Sequence, residues 1–187
     1  SRVIGSFKSN FAPINKTIKN KTILFLSQFR KNEPQDVHYL VEKKVIPYLS
    51  DYCKNNNLRL FILGCSIFNS NEEKDFYDSF GKNVKLKYLQ REDYPNNYKN
   101  LDSYENIVFI DSTMGYEAIG RKKKVAIFSS RKMSHKAKPD TFGWTQKLKR
   151  KGFFYSHQCN YFEIKRVLDN VTNCSRKKWN KNFFPKL

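Results

Sequence analysis

Short segments that are apolar on both faces recur along the chain, and no other sequence feature constrains the fold as strongly. A strand without a polar face is typical of a parallel sheet, because helices cover both of its sides. Helical patterns lie between most of these segments. The sequence therefore predicts an α/β fold, a Rossmann-like three-layer domain with a mostly parallel sheet of about six strands. The predicted strands are residues 22–27, 58–63, 84–89, 106–110, 124–129 and 153–155.

Apolar stripes and prolines locate the helices in the first half of the chain. Pro34 is expected in the first turn of a long helix whose stripe runs over residues 37–52. Pro47 lies inside that stripe and predicts a kink or a break. Residues 71–80 are predicted to form a short helix, and residues 91–105 a loop with at most one helical turn.

Capping residues locate the last long helix. Asn160 and Glu163 have the three-residue spacing of a capping box, which predicts a helix start at this point. A final helix around Trp179 is expected to pack back across the domain or onto a partner domain. The side chains that the last long helix is expected to bury are those of Tyr161, Ile164, Val167, Leu168 and Val171.

Length and composition indicate one domain. The chain has 187 residues, of which 39% are hydrophobic, and this is enough for a substantial core. Residues 1–21 are polar and irregular and are interpreted as an N-terminal segment or linker, and residues 22–187 as the Rossmann-like domain. We find neither a signal-peptide pattern nor an apolar run near the roughly 20 residues of a membrane helix. Ser1 stands where a start methionine would, which favours a fragment of a longer two-domain protein.

The chain is strongly basic, with 36 Lys and Arg against 17 Asp and Glu and a formal net charge of +19. Such an excess attracts polyanions and anionic membrane surfaces. We favour a compositional bias as the source of the positive charge, because Lys, Asn, Phe and Tyr are all abundant. Binding of an anionic ligand or a membrane surface would reinforce this bias. Nucleic acid is the less favoured partner, because the chain has no RNP, KH or zinc-finger pattern.

Metal chemistry has little support in the sequence. The chain has four cysteines and three histidines, and the cysteines form no CxxC pair, so neither a metal site nor a cofactor is expected. Free thiols indicate a reducing compartment. The sequence thus favours a cytoplasmic protein that can lie peripherally at the inner face of the cell membrane.

Candidate ligand-binding residues follow the predicted strands. In an open parallel sheet, ligands bind beyond the carboxyl ends of the strands. The residues at these ends are rich in hydroxyl groups, amides and cations, which suits a phosphate-bearing ligand. They include Ser27, Gln28, Arg30, Gly64, Ser66, Ser130 and Arg131.

The stretch Asp-Ser-Thr-Met-Gly-Tyr-Glu at residues 111–117 carries the strongest signal. Ser112 or Thr113 can cap the following helix, whose free amides and dipole then face a ligand. Gly115 lets a phosphate approach the backbone, and Glu117 lies one turn further, where its carboxylate can accept hydrogen bonds from ribose hydroxyls. An ordinary capped helix, with the glycine present for close packing, explains the same residues equally well.

Residues 107–126 resemble a segment of bacterial surface-carbohydrate biosynthesis proteins. They are also similar to the Ser/Thr…Glu-Ala…Gly-x-x-Val segment in the C-terminal, donor-binding domain of GT-B glycosyltransferases. This resemblance implies that Ser112, Thr113 and Gly115 contact the donor phosphate and that Glu117 contacts the ribose.

The same resemblance implies further contacts and a second domain. Arg30 would serve as a counter-charge to phosphate, and Gly64 and Ser66 would approach the ribose or base. The donor would be a nucleotide sugar, used without a metal. The acceptor, a glycan or glycolipid, and the catalytic base would belong to an N-terminal domain, so this part alone would bind donor without turnover. The sequence departs from the family in its basic residues 121–123 and in residues 27–30, which replace a Gly-rich loop.

Three other functions stay open on sequence grounds. They are transfer of glycerol phosphate from CDP-glycerol, nucleic-acid binding by a basic Rossmann-like module, and a purely structural scaffold. Catalytic roles for Cys65 and His157 are less favoured than structural ones. The basic clusters at residues 121–124 and 147–151 could touch an anionic lipid or acceptor, although a solvated charged face is the default interpretation.

Overall fold

The six strands of the central sheet are parallel to one another, in the order β3-β2-β1-β4-β5-β6. The structure is a computed structural model that describes residues 7–15, 17–29, 37–66, 70–80, 86–129 and 151–183. The predicted fold class is confirmed. In chain order, the strands are β1 (Lys19–Leu26), β2 (Arg59–Leu63), β3 (Leu86–Leu89), β4 (Tyr104–Phe109), β5 (Lys124–Phe128) and β6 (Tyr155–Ser156).

Helices connect the strands and cover both faces of the sheet, which gives three layers. None of the helices in the described ranges is both long and apolar enough to cross a membrane. In chain order, the helices are α1 (Phe7–Phe11), α2 (Val37–Asn55), α3 (Ser70–Asp78), α4 (Asn96–Asp102), α5 (Thr113–Gly120), α6 (Tyr161–Asn173) and α7 (Arg176–Phe183).

The register of β1 and β4 shows which helices share a face. Phe25 pairs with Val108, so both side chains point to the same side, and Phe25 meets the ring of Tyr77 in α3. Phe109 follows Val108 and points to the opposite side, where it lies beneath Gly115 of α5. Therefore α3 and α5 lie on opposite faces of the sheet. Helix α6 packs against both β5 and α2.

The structure changes two predictions for the helices before β4. Residues 91–105 are not a loop, because they contain α4 and the first residues of β4. The buried face of α4 is partly polar, with Asn97 and Asp102 beside Tyr98 and Leu101, so its apolar periodicity is weak. Of the two alternatives at Pro47, the break is absent, since α2 is a single helix that includes the proline. The kink stays a prediction.

The C-terminal predictions are mostly confirmed. The side chain of Asn160 caps α6 by accepting a hydrogen bond from Glu163 N at 3.0 Å. The predicted apolar stripe of α6 is buried except for Tyr161. The side chain of Tyr161 is 38% exposed, and its ring contacts the ring of Tyr48. Helix α7 packs back onto the domain, because Trp179 is fully buried against Phe154. The last strand is Tyr155–Ser156, slightly later than predicted.

A buried ion pair fastens the N-terminal segment, residues 7–15, to the rest of the domain. Arg121, directly after α5, donates to both carboxylate oxygens of Asp102, the last residue of α4. The same guanidinium donates to the main-chain oxygens of Ser9, Ala12 and Pro13. The described part of the predicted linker is thus docked, while the boundary placed between residues 21 and 22 stays a prediction.

The side chains of Lys123 and Lys124, which follow shortly after Arg121, are also buried. Lys123 donates to the main-chain oxygen of Asp102, and burial lowers the pKa of its ammonium group although that carboxylate is close. Lys124 donates to the main-chain oxygen of Cys174 at 3.0 Å. Of residues 121–124 only Lys122 is exposed. The interpretation of this cluster as a lipid-facing or solvated surface is therefore wrong for the other three residues.

The ion pair predicts a large difference between two adjacent substitutions. Arg121→Ala leaves the buried Asp102 carboxylate and several carbonyl oxygens short of donors, which should lower the free energy of unfolding by about 3–5 kcal/mol. Lys122→Ala, at the exposed neighbour, should change it by less than about 0.5 kcal/mol. Urea unfolding of both variants measures the difference, and equal losses would contradict the role of the pair.

The glycines of α5 provide a second matched pair. A Cβ atom at Gly115 would lie 2.3 Å from the Phe109 ring, whereas a Cβ at Gly120 would meet nothing within 4 Å. Gly115→Ala should therefore cost about 1–3 kcal/mol through overpacking. Gly120→Ala should be neutral or should stabilise the fold by about 0.4–1 kcal/mol, because alanine restricts the unfolded chain. Thermal unfolding midpoints compare the two, and a stable Gly115→Ala variant would refute close helix–strand packing.

Candidate functional site

The strand order reverses between β1 and β4, and their carboxyl ends form the topological switch point where ligands of such sheets bind. The turns after the two strands are joined directly, since Asp111 N donates to Gln28 Oε1 at 2.9 Å. The hydroxyl of Tyr116 in α5 donates to Asp111 Oδ1 at 3.0 Å. The switch point is thus closed off by hydrogen bonds among the turn after β1, the turn after β4 and α5.

The turn after β1 is bonded to a buried glutamate. Gln28 N donates to Oε1 of Glu42 in α2 at 2.7 Å. The hydroxyl of Tyr77 lies 2.7 Å from Ser27 Oγ and 2.9 Å from Glu42 Oε2. Burial, followed by the Glu42 charge, raises the pKa of Tyr77, so this hydroxyl keeps its proton at neutral pH. The predicted residues Ser27 and Gln28 therefore do lie at the switch point, already in contact with protein groups.

The turn after β2 has the same arrangement with a second glutamate. Cys65 N and Ser66 N donate to the carboxylate of Glu73 in α3, at 2.9 and 3.3 Å. The Tyr88 hydroxyl donates to Glu73 Oε2 at 2.9 Å. A Cβ atom on Gly64 would lie 2.2 Å from the Tyr88 hydroxyl oxygen, so the glycine is needed for packing. Nucleotide contacts by Gly64 and Ser66 stay predictions.

The structure disfavours a nucleophilic role for Cys65. Burial, with a smaller contribution from Glu73, raises the pKa of its thiol to about 12. The thiol is therefore protonated at neutral pH, and Sγ lies 3.2 Å from the main-chain oxygen of Phe29. His157 lies directly after β6 and is buried.

Helix α5 presents one face to the protein core and one to solvent. Gly115, Ala118 and Ile119 are buried, and Gly115 N donates to Ser112 O at 2.9 Å. The predicted glycine thus has a packing function, and a phosphate contact there stays a prediction. Ser112 is the N-cap residue, as expected, although its side chain makes no capping hydrogen bond.

The outer face of α5 forms one wall of an open cleft of about 640 Å³, a size suited to small-molecule ligands. Thr113 and Glu117 share this face because they lie one helical turn apart. The other wall is the N-terminal segment, which sequence patterns did not indicate. The lining residues are Ser9, Asn10, Ala12, Ile14, Thr113, Tyr116, Glu117, Gly120 and Arg121.

Tyr98 contacts two of the polar side chains that line the cleft, those of Glu117 and Arg121. Glu117 Oε2 accepts a hydrogen bond from the Tyr98 hydroxyl at 2.7 Å. The guanidinium of Arg121 lies 5.2 Å from the centroid of the Tyr98 ring and is engaged with Asp102. Helical spacing could have identified Tyr116 as a further lining residue, three positions after Thr113.

Several predicted site residues lie outside the described ranges. They are Arg30, Ser130 and Arg131, together with most of the basic cluster 147–151. Within those ranges, the structure shows no group of three or more His, Cys, Asp or Glu residues that could hold a metal ion.

Comparison with solved structures gives two matches, and the first of them shows a similar fold. A structure titled "putative UDP-N-acetylglucosamine 2-epimerase" from Listeria monocytogenes matches with a TM-score of 0.52 and 10% identity. The match covers 90% of this chain and 44% of that one, so the chain spans less than half of the epimerase. The MAR1 ribonuclease from Caenorhabditis elegans matches at a TM-score of 0.40 and 12% identity, over 66% of this chain and 70% of that one.

Sequence comparison gives a more specific result. No curated protein matches the chain. Residues 1–184, nearly the whole chain, match a family described as "putative O-antigen biosynthesis protein". The chain therefore belongs to this O-antigen biosynthesis family.

Proposed function

We propose that this domain binds the nucleotide-sugar donor of a GT-B type glycosyltransferase in surface polysaccharide biosynthesis. The family supports a role in surface polysaccharide biosynthesis, and the epimerase-like fold is GT-B-like. The observation that carries the proposal is the cleft, in which Thr113 and Glu117 line the wall formed by α5. Both residues belong to the segment that resembles the donor-binding domain of these transferases.

The cleft suggests an orientation for the donor. Glu117 is oriented by Tyr98 and can accept hydrogen bonds from ribose hydroxyls. The N-terminus of α5, at Thr113, would face the phosphates with its amide groups and its dipole. In the transfer step, these amide groups and the helix dipole would stabilise the departing phosphate without a metal ion.

Acceptor binding and catalysis would require a further domain. The chain spans 44% of the epimerase that it resembles. We therefore propose that the glycan or glycolipid acceptor and the catalytic base belong to another part of the enzyme, and that this domain alone binds donor without turnover. A peripheral location at the inner face of the cell membrane is part of this proposal.

The net positive charge of the chain favours nucleic-acid binding, but the structure supports this function less. Arg121, Lys123 and Lys124 are buried and bonded to protein oxygens, so they cannot contact phosphates of a polyanion. Transfer of glycerol phosphate from CDP-glycerol would use the same cleft. The nucleotide that the domain prefers in a titration tests this alternative.

The central prediction is selective nucleotide binding that depends on Glu117. Calorimetric titration with CMP, CDP, UDP, GDP and ADP should show one preferred nucleotide. Glu117→Ala should weaken that binding about 10–100-fold, because it removes a charged hydrogen-bond acceptor. Asp78→Ala, an exposed acidic residue in α3, is the matched control and should leave the affinity unchanged.

A companion variant separates the carboxylate from its support. Tyr98→Phe keeps Glu117 but removes the 2.7 Å hydrogen bond that orients it, so a smaller loss of affinity is expected. If the wild-type protein binds none of the nucleotides, but binds random oligonucleotides in a strongly salt-dependent way, the proposal is wrong and the nucleic-acid module is favoured.

A further inference from the structure

Two buried glutamates occupy equivalent positions at the ends of neighbouring strands. Glu42 and Glu73 are both 0% exposed. Each comes from the helix that follows its own turn, and each accepts main-chain hydrogen bonds from that turn. Glu42 binds Gln28 N after β1, and Glu73 binds Cys65 N and Ser66 N after β2.

In parallel α/β folds these amides commonly serve ligands. Main-chain N–H groups in the turn after a strand form a concave site with partial positive charge, which suits phosphate. In this domain a carboxylate already fills that place. Bonds between an ionised carboxylate and N–H donors are short and strong, so an incoming phosphate would have to displace a buried charge of its own sign.

Each of the two carboxylates also has a hydrogen-bond partner in a tyrosine hydroxyl. Tyr88 donates to Glu73 at 2.9 Å, and the Tyr77 hydroxyl lies 2.9 Å from Glu42. Burial and the adjacent carboxylate raise the pKa of both tyrosines, so they keep their protons at neutral pH. Glu73 also lies close to Gly64, where an added Cβ would be 3.2 Å from Oε2. Neither carboxylate can leave its turn without breaking several contacts.

We propose that Glu42 and Glu73 are built-in anions that exclude phosphate groups from the turns after β1 and β2. A phosphate-bearing ligand is thereby directed to the cleft beside α5, a step that rests on the proposed function. The predicted site residues Ser27, Gln28, Gly64 and Ser66 then meet only uncharged parts of such a ligand. Glu42 and Glu73 thus determine specificity without touching the donor phosphate.

The test uses inorganic phosphate and acetate as probes of the turn after β2. In the wild-type protein, NMR titration with phosphate should leave the amide signals of Cys65 and Ser66 unchanged. Glu73→Ala vacates the carboxylate position and should lower the thermal midpoint by about 5 °C or more. Phosphate or acetate should then restore part of that loss by binding the free amides, whereas chloride at equal ionic strength should not.

Two further variants make the result specific. Asp75→Ala removes an exposed carboxylate from the same helix, and its midpoint should respond to phosphate as the wild type does. Glu73→Gln fills the same volume without the charge, so it should be destabilised but should not respond to either anion. The inference is overturned if phosphate shifts the wild-type Cys65 and Ser66 signals, or if folded Glu73→Ala gains no stability from anions.

The outcomes separate this inference from the donor proposal. Anion rescue of Glu73→Ala in a protein that binds no nucleotide would refute only the donor proposal. Nucleotide binding whose phosphates shift the Cys65 and Ser66 amides would refute only the role of the glutamates. The wild-type titration is decisive even if Glu73→Ala fails to fold.

Discussion

The guanidinium of Arg121 holds together parts of the domain that no strand connects. It neutralises Asp102 at the end of α4, lies over the Tyr98 ring and donates to three carbonyl oxygens of the N-terminal segment. Both walls of the cleft depend on these contacts, because one wall is that segment and the other is α5. Tyr98 in turn orients Glu117, so the geometry of the candidate site depends on a buried ion pair.

The strands and their order along the chain could be predicted because most of them are apolar on both faces, and the Asn160 cap because its partner lies three residues away. Helix α4 was missed since Asn97 and Asp102 are on its buried face. The burial of Lys123 and Lys124 was missed for a related reason. A charged side chain can be buried only when oxygens elsewhere in the fold accept its hydrogen bonds, and Asp102 and Cys174 are distant in sequence.

The candidate site was predictable to a similar extent. The segment around residues 111–117 indicated Thr113 and Glu117, and the structure places both on one face of α5. It assigns Gly115 to packing against Phe109, which the sequence left as an equal alternative. The glutamates that bind the turns after β1 and β2 had no local signal. Glu42 is 14 residues from Gln28, inside an amphipathic helix, and its orientation is decided by Tyr77 and the sheet.

The contacts of Arg121 also have a kinetic consequence. Its bonds to Ser9, Ala12 and Pro13 span 112, 109 and 108 residues of chain. Closing a loop of this length costs conformational entropy, which other contacts must offset before these bonds can stabilise the fold. The cleft is therefore completed only after β4 and α5 are in place. The N-terminal segment belongs to none of the strands, so we expect it to open before the sheet separates and its amide protons to exchange faster than those of β1 and β4.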